Sequence, residues 1–242
     1  RGIRSVGVRA GRAVRELLWP GLCAGCGQPA TSLLCDACRG TLVSGAEPGC
    51  PQCGRLDGVE GSPHTCGRCL KEPPAFWRAR GAYGYGGLLQ ASISRWKNGP
   101  EEGLGRGLSE LMTRAAPGLG WGQEDPGLVI VPVPVHWRRL ARRGFHPPGM
   151  LARALGRHLG RPVIFGALRF TRPVPSSRGR GLKARRRRLR GALQPKDRAI
   201  MGASVLLVDD VMTTGATAEM AARACLRGGA RTVEVACLAR AL

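Results

Sequence analysis

Residues 205–217 read VLLVDDVMTTGAT. Four aliphatic residues, Val205, Leu206, Leu207 and Val208, run into Asp209 and Asp210, and a turn of small residues follows: Thr213, Thr214, Gly215, Ala216 and Thr217. An unbroken aliphatic run bounded by turn residues is the pattern of a strand buried on both faces, as in a parallel sheet. The next stretch, AEMAARACLRGG, places Met220, Ala221, Ala224 and Cys225 at helical spacing and stops at Gly228 and Gly229. The reading is strand, short loop, helix, with the helix opening at Thr217.

That order of elements has a chemistry. The first N–H groups of a helix have no internal partner and carry the positive end of its dipole. Hydroxyl donors and a glycine just ahead of them make a cradle for a phosphate. Two carboxylates at the strand end would repel the phosphate itself, and suit sugar hydroxyls or a magnesium-bound group one ribose away. The implied ligand is a phosphorylated sugar.

Eight of the ten cysteines form C-x-x-C pairs: Cys23 with Cys26, Cys35 with Cys38, Cys50 with Cys53, and Cys66 with Cys69. Two thiolates on one tight turn face the same metal, and two such turns complete a tetrahedral zinc site. Gly27 and Gly54 follow two of the pairs, where a knuckle needs a permissive backbone. The expectation is about two structural zinc ions rather than disulfides or redox chemistry. Neighbouring pairs bind together in the simplest assignment, and the spacing equally permits interleaved pairing. Cys225 and Cys237 fall on a helix and a strand and read as core.

Lysine and arginine number 38 against 16 aspartates and glutamates, a net charge of +22. Only Lys71, Lys97, Lys183 and Lys196 are lysines. An arginine bias reflects genome composition in part, but that bias does not remove acids. A polyanion-binding surface is therefore expected, with single-stranded DNA as the partner. The densest run is Arg178, Arg180, Lys183, Arg185, Arg186, Arg187, Arg188 and Arg190, with no acid among them. No stretch has the length and apolarity of a membrane span, and residues 1–22 lack a signal-peptide core, so a cytoplasmic location is expected.

Elsewhere the signals are weaker. Residues 1–18 are a basic tail or a basic amphipathic helix. Residues 76–123 read as a poorly defined connection, with a short strand at residues 82–85 and a helix ending near Trp96, Lys97 and Asn98. Trp96 and Lys97 flank a ligand or simply pack. Residues 128–135 read as a strand stopped by prolines, followed by Arg138, Arg139, Arg142 and Arg143, which suit a diphosphate. A helix over residues 150–159 and a short strand over 163–165 come next. The chain closes with a strand over 232–239 whose alternation of Val233, Val235 and Cys237 with Glu234 and Ala236 predicts one partly exposed side.

The 205–217 stretch is similar to the signature of type I phosphoribosyltransferases. In that group, residues at the places of Asp209 and Asp210 contact the ribose hydroxyls of phosphoribosyl pyrophosphate. Those at the places of Thr213, Thr214, Gly215, Ala216 and Thr217 wrap its 5-phosphate. Taken in order, the parts resemble the ComF family, bacterial proteins associated with DNA uptake and processing in natural transformation. The resemblance spans residues 17–240 and rests on five features besides the signature. These are the leading cysteine pairs, Lys97-Asn98-Gly99, Val131-Pro132-Val133-Pro134, Arg143-Gly144-Phe145, and Gly191-Ala192.

The resemblance implies an α/β fold, a type I phosphoribosyltransferase-like parallel sheet flanked by helices, with a small N-terminal zinc-ribbon module. The expected organisation is a basic segment at 1–22, a double zinc ribbon at 23–74, a connecting or hood region at 75–126, and a phosphoribosyltransferase-like domain at 127–242. It implies magnesium-dependent transfer of a phosphoribosyl group, in which Asp209 and Asp210 hold the ribose, Lys97 lies near the ligand, and Arg142 and Arg143 offset charge on the leaving pyrophosphate. Competence and DNA-processing proteins are the implied protein partners. The alternative is a non-catalytic zinc-ribbon factor that binds single-stranded DNA.

The chain departs from the family pattern in three places. His146 and Pro147 stand where Asn-Gln usually follows Arg-Gly-Phe, and the polar residues usual near Arg188 are missing. Thr213 stands where purine-salvage relatives carry a proton-transferring aspartate, and a threonine cannot act as that base at neutral pH. Purine salvage is not expected.

Overall fold

The central strand β7 (Ser204–Met212) begins one residue ahead of the aliphatic run and continues through both aspartates. Val205, Leu206, Leu207 and Val208 are all essentially without solvent exposure. The structure is a computed structural model, and it describes residues 21–46, 49–55, 64–99, 102–122, 125–172, 191–196 and 198–241. The basic tail at 1–18 and the run at 178–190 lie outside the described residues.

In chain order the elements are β1 (Gly21–Leu22), β2 (Pro29–Ala30), α1 (Asp36–Gly40), α2 (Gly67–Lys71), β3 (Arg78–Gly84), α3 (Gly87–Asn98), α4 (Glu102–Leu119) and β4 (Leu128–Pro132). They continue with α5 (Trp137–Arg143), α6 (Pro147–Leu159), β5 (Leu168–Phe170), β6 (Leu193–Pro195), β7, α7 (Ala216–Arg227) and β8 (Thr232–Arg240). The main sheet has the order β3-β8-β7-β4, and every pairing in it is parallel.

Alternation along β7 explains why the sheet is covered on both faces. Val205 and Leu207 join the apolar cluster built with α7, through Ala218, Ala221, Ala224 and Cys225. Leu206 and Val208 join the opposite cluster, built with α3, α4 and α6. Helix α4 reaches that cluster with Leu104, Leu108, Leu111, Met112 and Leu119, the i, i+4, i+7 stripe of a helix with one apolar face.

Several expectations change. Residues 75–126 are not a connection: they supply β3, an edge strand of the main sheet, together with α3 and α4. Strand β8 is not half exposed but lies between β3 and β7, with all but Thr232 buried. Its buried acid, Glu234, meets Arg78 at 2.7 Å. A buried carboxylate in a central strand is tolerated because a guanidinium neutralises it there. Strand β4 ends at Pro132, and residues 163–165 contribute only a single bridge, Val163 to Ile130, instead of a strand. The last helix starts at Ala216, one residue before the expected Thr217.

The zinc-ribbon module lies along the outer edge of β3. The Gly45 amide donates to the Ala82 carbonyl, that of Gly84 to Val43 and that of Ala79 to Gln52, all at 2.9 Å. Those bonds satisfy the row of backbone groups that an edge strand would otherwise present. The approach is tight enough that a Cβ at Gly54 would stand 2.4 Å from the Ala79 carbonyl oxygen. The second ribbon's cysteines belong to the α7 face of the sheet, and Cys23 of the first belongs to the other face.

Candidate functional site

The eight paired cysteines gather into two groups, Cys23, Cys26, Cys35 and Cys38 in one, and Cys50, Cys53, Cys66 and Cys69 in the other. Within each group all the sulfurs lie within 4.8 Å of one another, so the pairing is local and not interleaved. The Cys26 and Cys35 sulfurs are 3.7 Å apart, and those of Cys53 and Cys66 are 3.8 Å apart. Four ligands at the Zn–S distance of about 2.3 Å set a tetrahedron edge of about 3.8 Å, whereas a disulfide needs about 2.05 Å. The donor sets therefore fit zinc.

Backbone amides complete both centres. Gly25 and Cys35 donate to the Cys23 sulfur, and Cys66 donates to that of Cys50. Burial works against ionising Cys23, but amides from Cys26, Cys35 and Gly25 outweigh it and bring the thiol down to about 6. Cys50 is brought down to about 7 by the same balance. Burial pushes Cys53 and Cys69 upward, with the charge of neighbouring cysteines adding to it and Arg240 opposing it at Cys53. A divalent metal removes that conflict by holding all four as thiolates. Cys225 and Cys237 are fully buried, and burial pushes both thiols to about 12, as expected of core residues.

The carboxyl ends of β4 and β7 open into a cleft of about 800 Å³. It brings together Asp209, Asp210, all of residues 213–217, Lys97 from the end of α3, and Arg138, Arg139, Arg142 and Arg143 from α5. Helix α5 is short and exposed, with His136 as N-cap accepting from the Arg138 amide at 3.3 Å, and Gly144 ends it in the left-handed region. That cap and stop turn the arginines toward the strand ends.

Gly215 has φ of +73°, which a side chain would strain, and it forms the N-cap of α7. The Thr214 hydroxyl accepts from the Ala216 amide at 3.4 Å. The loop thus delivers the open N-terminus of a twelve-residue helix to the cleft.

Asp210 is buried and paired with Lys97 Nζ at 2.8 Å. Asp209 Oδ1 accepts from the Asp210 amide, and Asp210 Oδ1 accepts from that of Val211. Asp209 is held far above the usual carboxylate range, to about 8, chiefly by burial and then by the charge of Asp210, with Lys97 pulling the other way. At neutral pH Asp209 therefore keeps its proton.

The folded chain thus keeps a proton that the unfolded chain releases above about pH 4, so stability falls from there up to about pH 8. Asp209→Asn removes this liability. The variant should match the wild type near pH 4 and exceed it by at least about 1.4 kcal/mol, one pKa unit, at pH 8. Thermal unfolding across that range checks it, and parallel profiles for the two proteins would show that Asp209 ionises normally.

Trp96 is only 1% exposed and packs beside the Phe145 ring at 5.6 Å, and it does not line the cleft that holds the aspartates. His146, where the family pattern has asparagine, is half-buried with Nε2 3.2 Å from the Val133 carbonyl, and burial lowers its pKa. It does not line the cleft, though Pro148 does. Sequence reasoning passed over Tyr85, His136 and Phe170, which do line it. His136 alone carried a local sign, as the residue ahead of a short basic helix.

A parallel sheet whose central strand ends in paired acids and a Thr-Thr-Gly-x-Thr loop, joined to two tetrathiolate knuckles, defines a phosphoribosyltransferase-fold protein with a double zinc ribbon. Residues 14–70 match the family described as the double zinc ribbon domain. DNA utilization protein YhgH of Escherichia coli (strain K12) is 33% identical over 233 residues, covering 92% of this chain and 98% of that protein. Competence protein F of Haemophilus influenzae is 29% identical over 211 residues, covering 86% and 90%. The chain belongs to the ComF family. Among solved structures, a hypoxanthine phosphoribosyltransferase from Staphylococcus aureus overlaps 55% of this chain and 62% of its own at 14% identity and a TM-score of 0.35. A likeness that loose adds nothing to the topology.

Proposed function

We propose that the cleft binds phosphoribosyl pyrophosphate with magnesium, and that the protein transfers its phosphoribosyl group to an acceptor during DNA processing in the cytoplasm. The observation that carries this is the meeting of Asp209, Asp210 and Lys97 with the 213–217 loop and the α5 arginines in one cleft. Five basic side chains face two acidic ones there, an excess that suits a polyanion. A protonated Asp209 donates a hydrogen bond and Asp210, ion-paired with Lys97, accepts one, the complement of two neighbouring ribose hydroxyls.

In the reaction the bond from the anomeric carbon to pyrophosphate breaks, the bond to the acceptor forms, and pyrophosphate leaves with the electron pair. Loop residues Thr213, Thr214, Gly215, Ala216 and Thr217 fix the 5-phosphate end. Arg142 and Arg143 stabilise charge on the departing pyrophosphate, while Asp209 and Asp210 favour the positive charge that develops on the ribose. Asp209 and Asp210, the cleft's acids among the described residues, would hold magnesium, which would supply positive charge to offset that of the diphosphate. Calorimetry with phosphoribosyl pyrophosphate and magnesium tests the reading, and an absence of heat at millimolar ligand would end it.

The names of the relatives, DNA utilization protein and competence protein, together with the +22 charge, support a nucleic-acid partner. Single-stranded DNA is the form we propose, with Arg178, Arg180, Lys183, Arg185, Arg186, Arg187, Arg188 and Arg190 contacting phosphates. Replacing Arg185, Arg186, Arg187 and Arg188 by glutamine should flatten the dependence of log affinity on log salt by up to about 3 units. An unchanged slope would make that run a solvated segment. A purely binding role remains the second reading. Thr213 favours it, as do the cleft's acids, which are only Asp209 and Asp210 among the described residues, leaving no further carboxylate to deprotonate an acceptor.

A further inference from the structure

The second zinc ribbon touches the phosphate loop from behind. Arg68, on α2 between zinc ligands Cys66 and Cys69, donates through Nη1 to the Thr214 carbonyl. Arg240, at the end of β8 and 3% exposed, donates through Nη1 to the carbonyls of Met212 and Thr213. Its Nε donates at 3.0 Å to the carbonyl of zinc ligand Cys53. The Glu219 carboxylate, in the first turn of α7, accepts from the Ala75 amide at 2.8 Å, just past the ribbon. No comparable tie runs to the first cysteine group among the described residues, whose Cys23 packs on the opposite face of the sheet.

These bonds dictate how the loop points. In a trans peptide the N–H of one residue is antiparallel to the carbonyl of the residue before it, and there are no cis peptides among the described residues. With the carbonyls of Met212, Thr213 and Thr214 all drawn toward two guanidinium groups on the ribbon side, the N–H groups of Thr213, Thr214 and Gly215 turn the other way. Those three residues also line the cleft. Successive amides turned toward one space are the elements of an anion-binding nest.

We infer that the Cys50, Cys53, Cys66 and Cys69 zinc centre is the support of the phosphate loop, with Arg68 and Arg240 as positioning residues, so that its metal occupancy and sugar-phosphate binding are coupled while the first zinc centre is independent. The inference rests on the cleft being the sugar-phosphate site only in its second half. The loop's dependence on the ribbon stands on geometry alone.

The test is hydrogen–deuterium exchange of residues 211–217 in the unliganded, zinc-loaded full chain. It compares wild type with Cys66→Ser, Cys35→Ser and Arg68→Met. Losing one charge-assisted hydrogen bond to the loop should raise exchange there about tenfold in Arg68→Met and at least as much in Cys66→Ser. Cys35→Ser, which lacks only the first centre, should leave the segment at the wild-type rate. If Cys66→Ser does not fold, Arg68→Met, with all eight ligands intact, decides alone. Wild-type exchange in Arg68→Met, or equal loosening by Cys35→Ser, overturns the proposal. In a second arm, ribose 5-phosphate should slow zinc release to a colorimetric chelator from one site of the two in the wild type, since coupling is reciprocal. If ribose 5-phosphate binds yet slows neither release, the coupling fails. If it does not bind at all, the reading of the cleft fails, and the exchange result still decides whether the ribbon supports the loop.

Discussion

Substituting asparagine for both Asp209 and Asp210 should weaken binding of phosphoribosyl pyrophosphate by about thirtyfold to two-thousandfold while the protein stays folded. Asp210 loses a charge-assisted hydrogen bond of roughly 1.5–3 kcal/mol and the protonated Asp209 a neutral one of roughly 0.5–1.5 kcal/mol, and each tenfold in affinity is about 1.4 kcal/mol. Folding should survive because the carboxylates line the cleft, beyond the aliphatic run of β7, and because an amide at position 209 has no ionisation to resist. The double variant also leaves Lys97 without its 2.8 Å partner, which adds positive charge to the cleft. The loss should therefore be smaller for inorganic pyrophosphate, which has no ribose to lose, than for the full ligand. Calorimetry with both ligands separates the two effects, and unchanged affinity of the double variant for phosphoribosyl pyrophosphate would place its site elsewhere.

Removal of zinc should have the larger structural effect. A structural zinc site contributes an apparent 10–16 kcal/mol in small zinc-finger peptides at neutral pH, comparable to the roughly 5–15 kcal/mol that holds an entire domain folded. The ribbons have little secondary structure of their own, and α1 has no buried residue, so their order depends on the metal. Stripping both ions should unfold the ribbon segment and also damage the sheet. Without the ribbon, β3 loses the partners at Val43, Gly45 and Gln52 that occupy its outer edge. An uncovered edge strand invites pairing with another chain. The expected result is a melting temperature lowered by more than about 10 °C, with concentration-dependent aggregation, on chelation at pH 7. Circular dichroism beside a colorimetric zinc assay follows both, and a fully stripped protein that melts like the holo form would show that the ribbons fold without metal.

The parts legible in the sequence are those whose causes are local. The buried strand, the acids and the phosphate loop were readable because one element follows the next, with period and turn residues marking each boundary. The cysteine knuckles were readable because both ligands of a pair sit on a single turn. Even there, spacing left open which pairs share a metal, and the packing of the ribbons on the two faces of the sheet settled it.

Tertiary structure alone decided the rest, because sheet order in a parallel fold is set by crossovers and not by nearness in sequence. That is why β3, weak in its own propensity with glycines at 81 and 84, became a strand of the main sheet only by pairing with β8. The same cause misled the reading of β8: alternation of polar and apolar residues suggested an exposed side, but a central position made Glu234 a buried partner of Arg78. Nor does any local pattern announce that Lys97 meets Asp210. Arg68 reaches Thr214 across 146 residues and Arg240 reaches Cys53 across 187. Local spacing determined the cysteine knuckles and the strand, acids and turn of residues 205–217; only the parallel order β3-β8-β7-β4 brought the second zinc ribbon against the 213–217 loop, because it carries Arg240 of β8 alongside the end of β7.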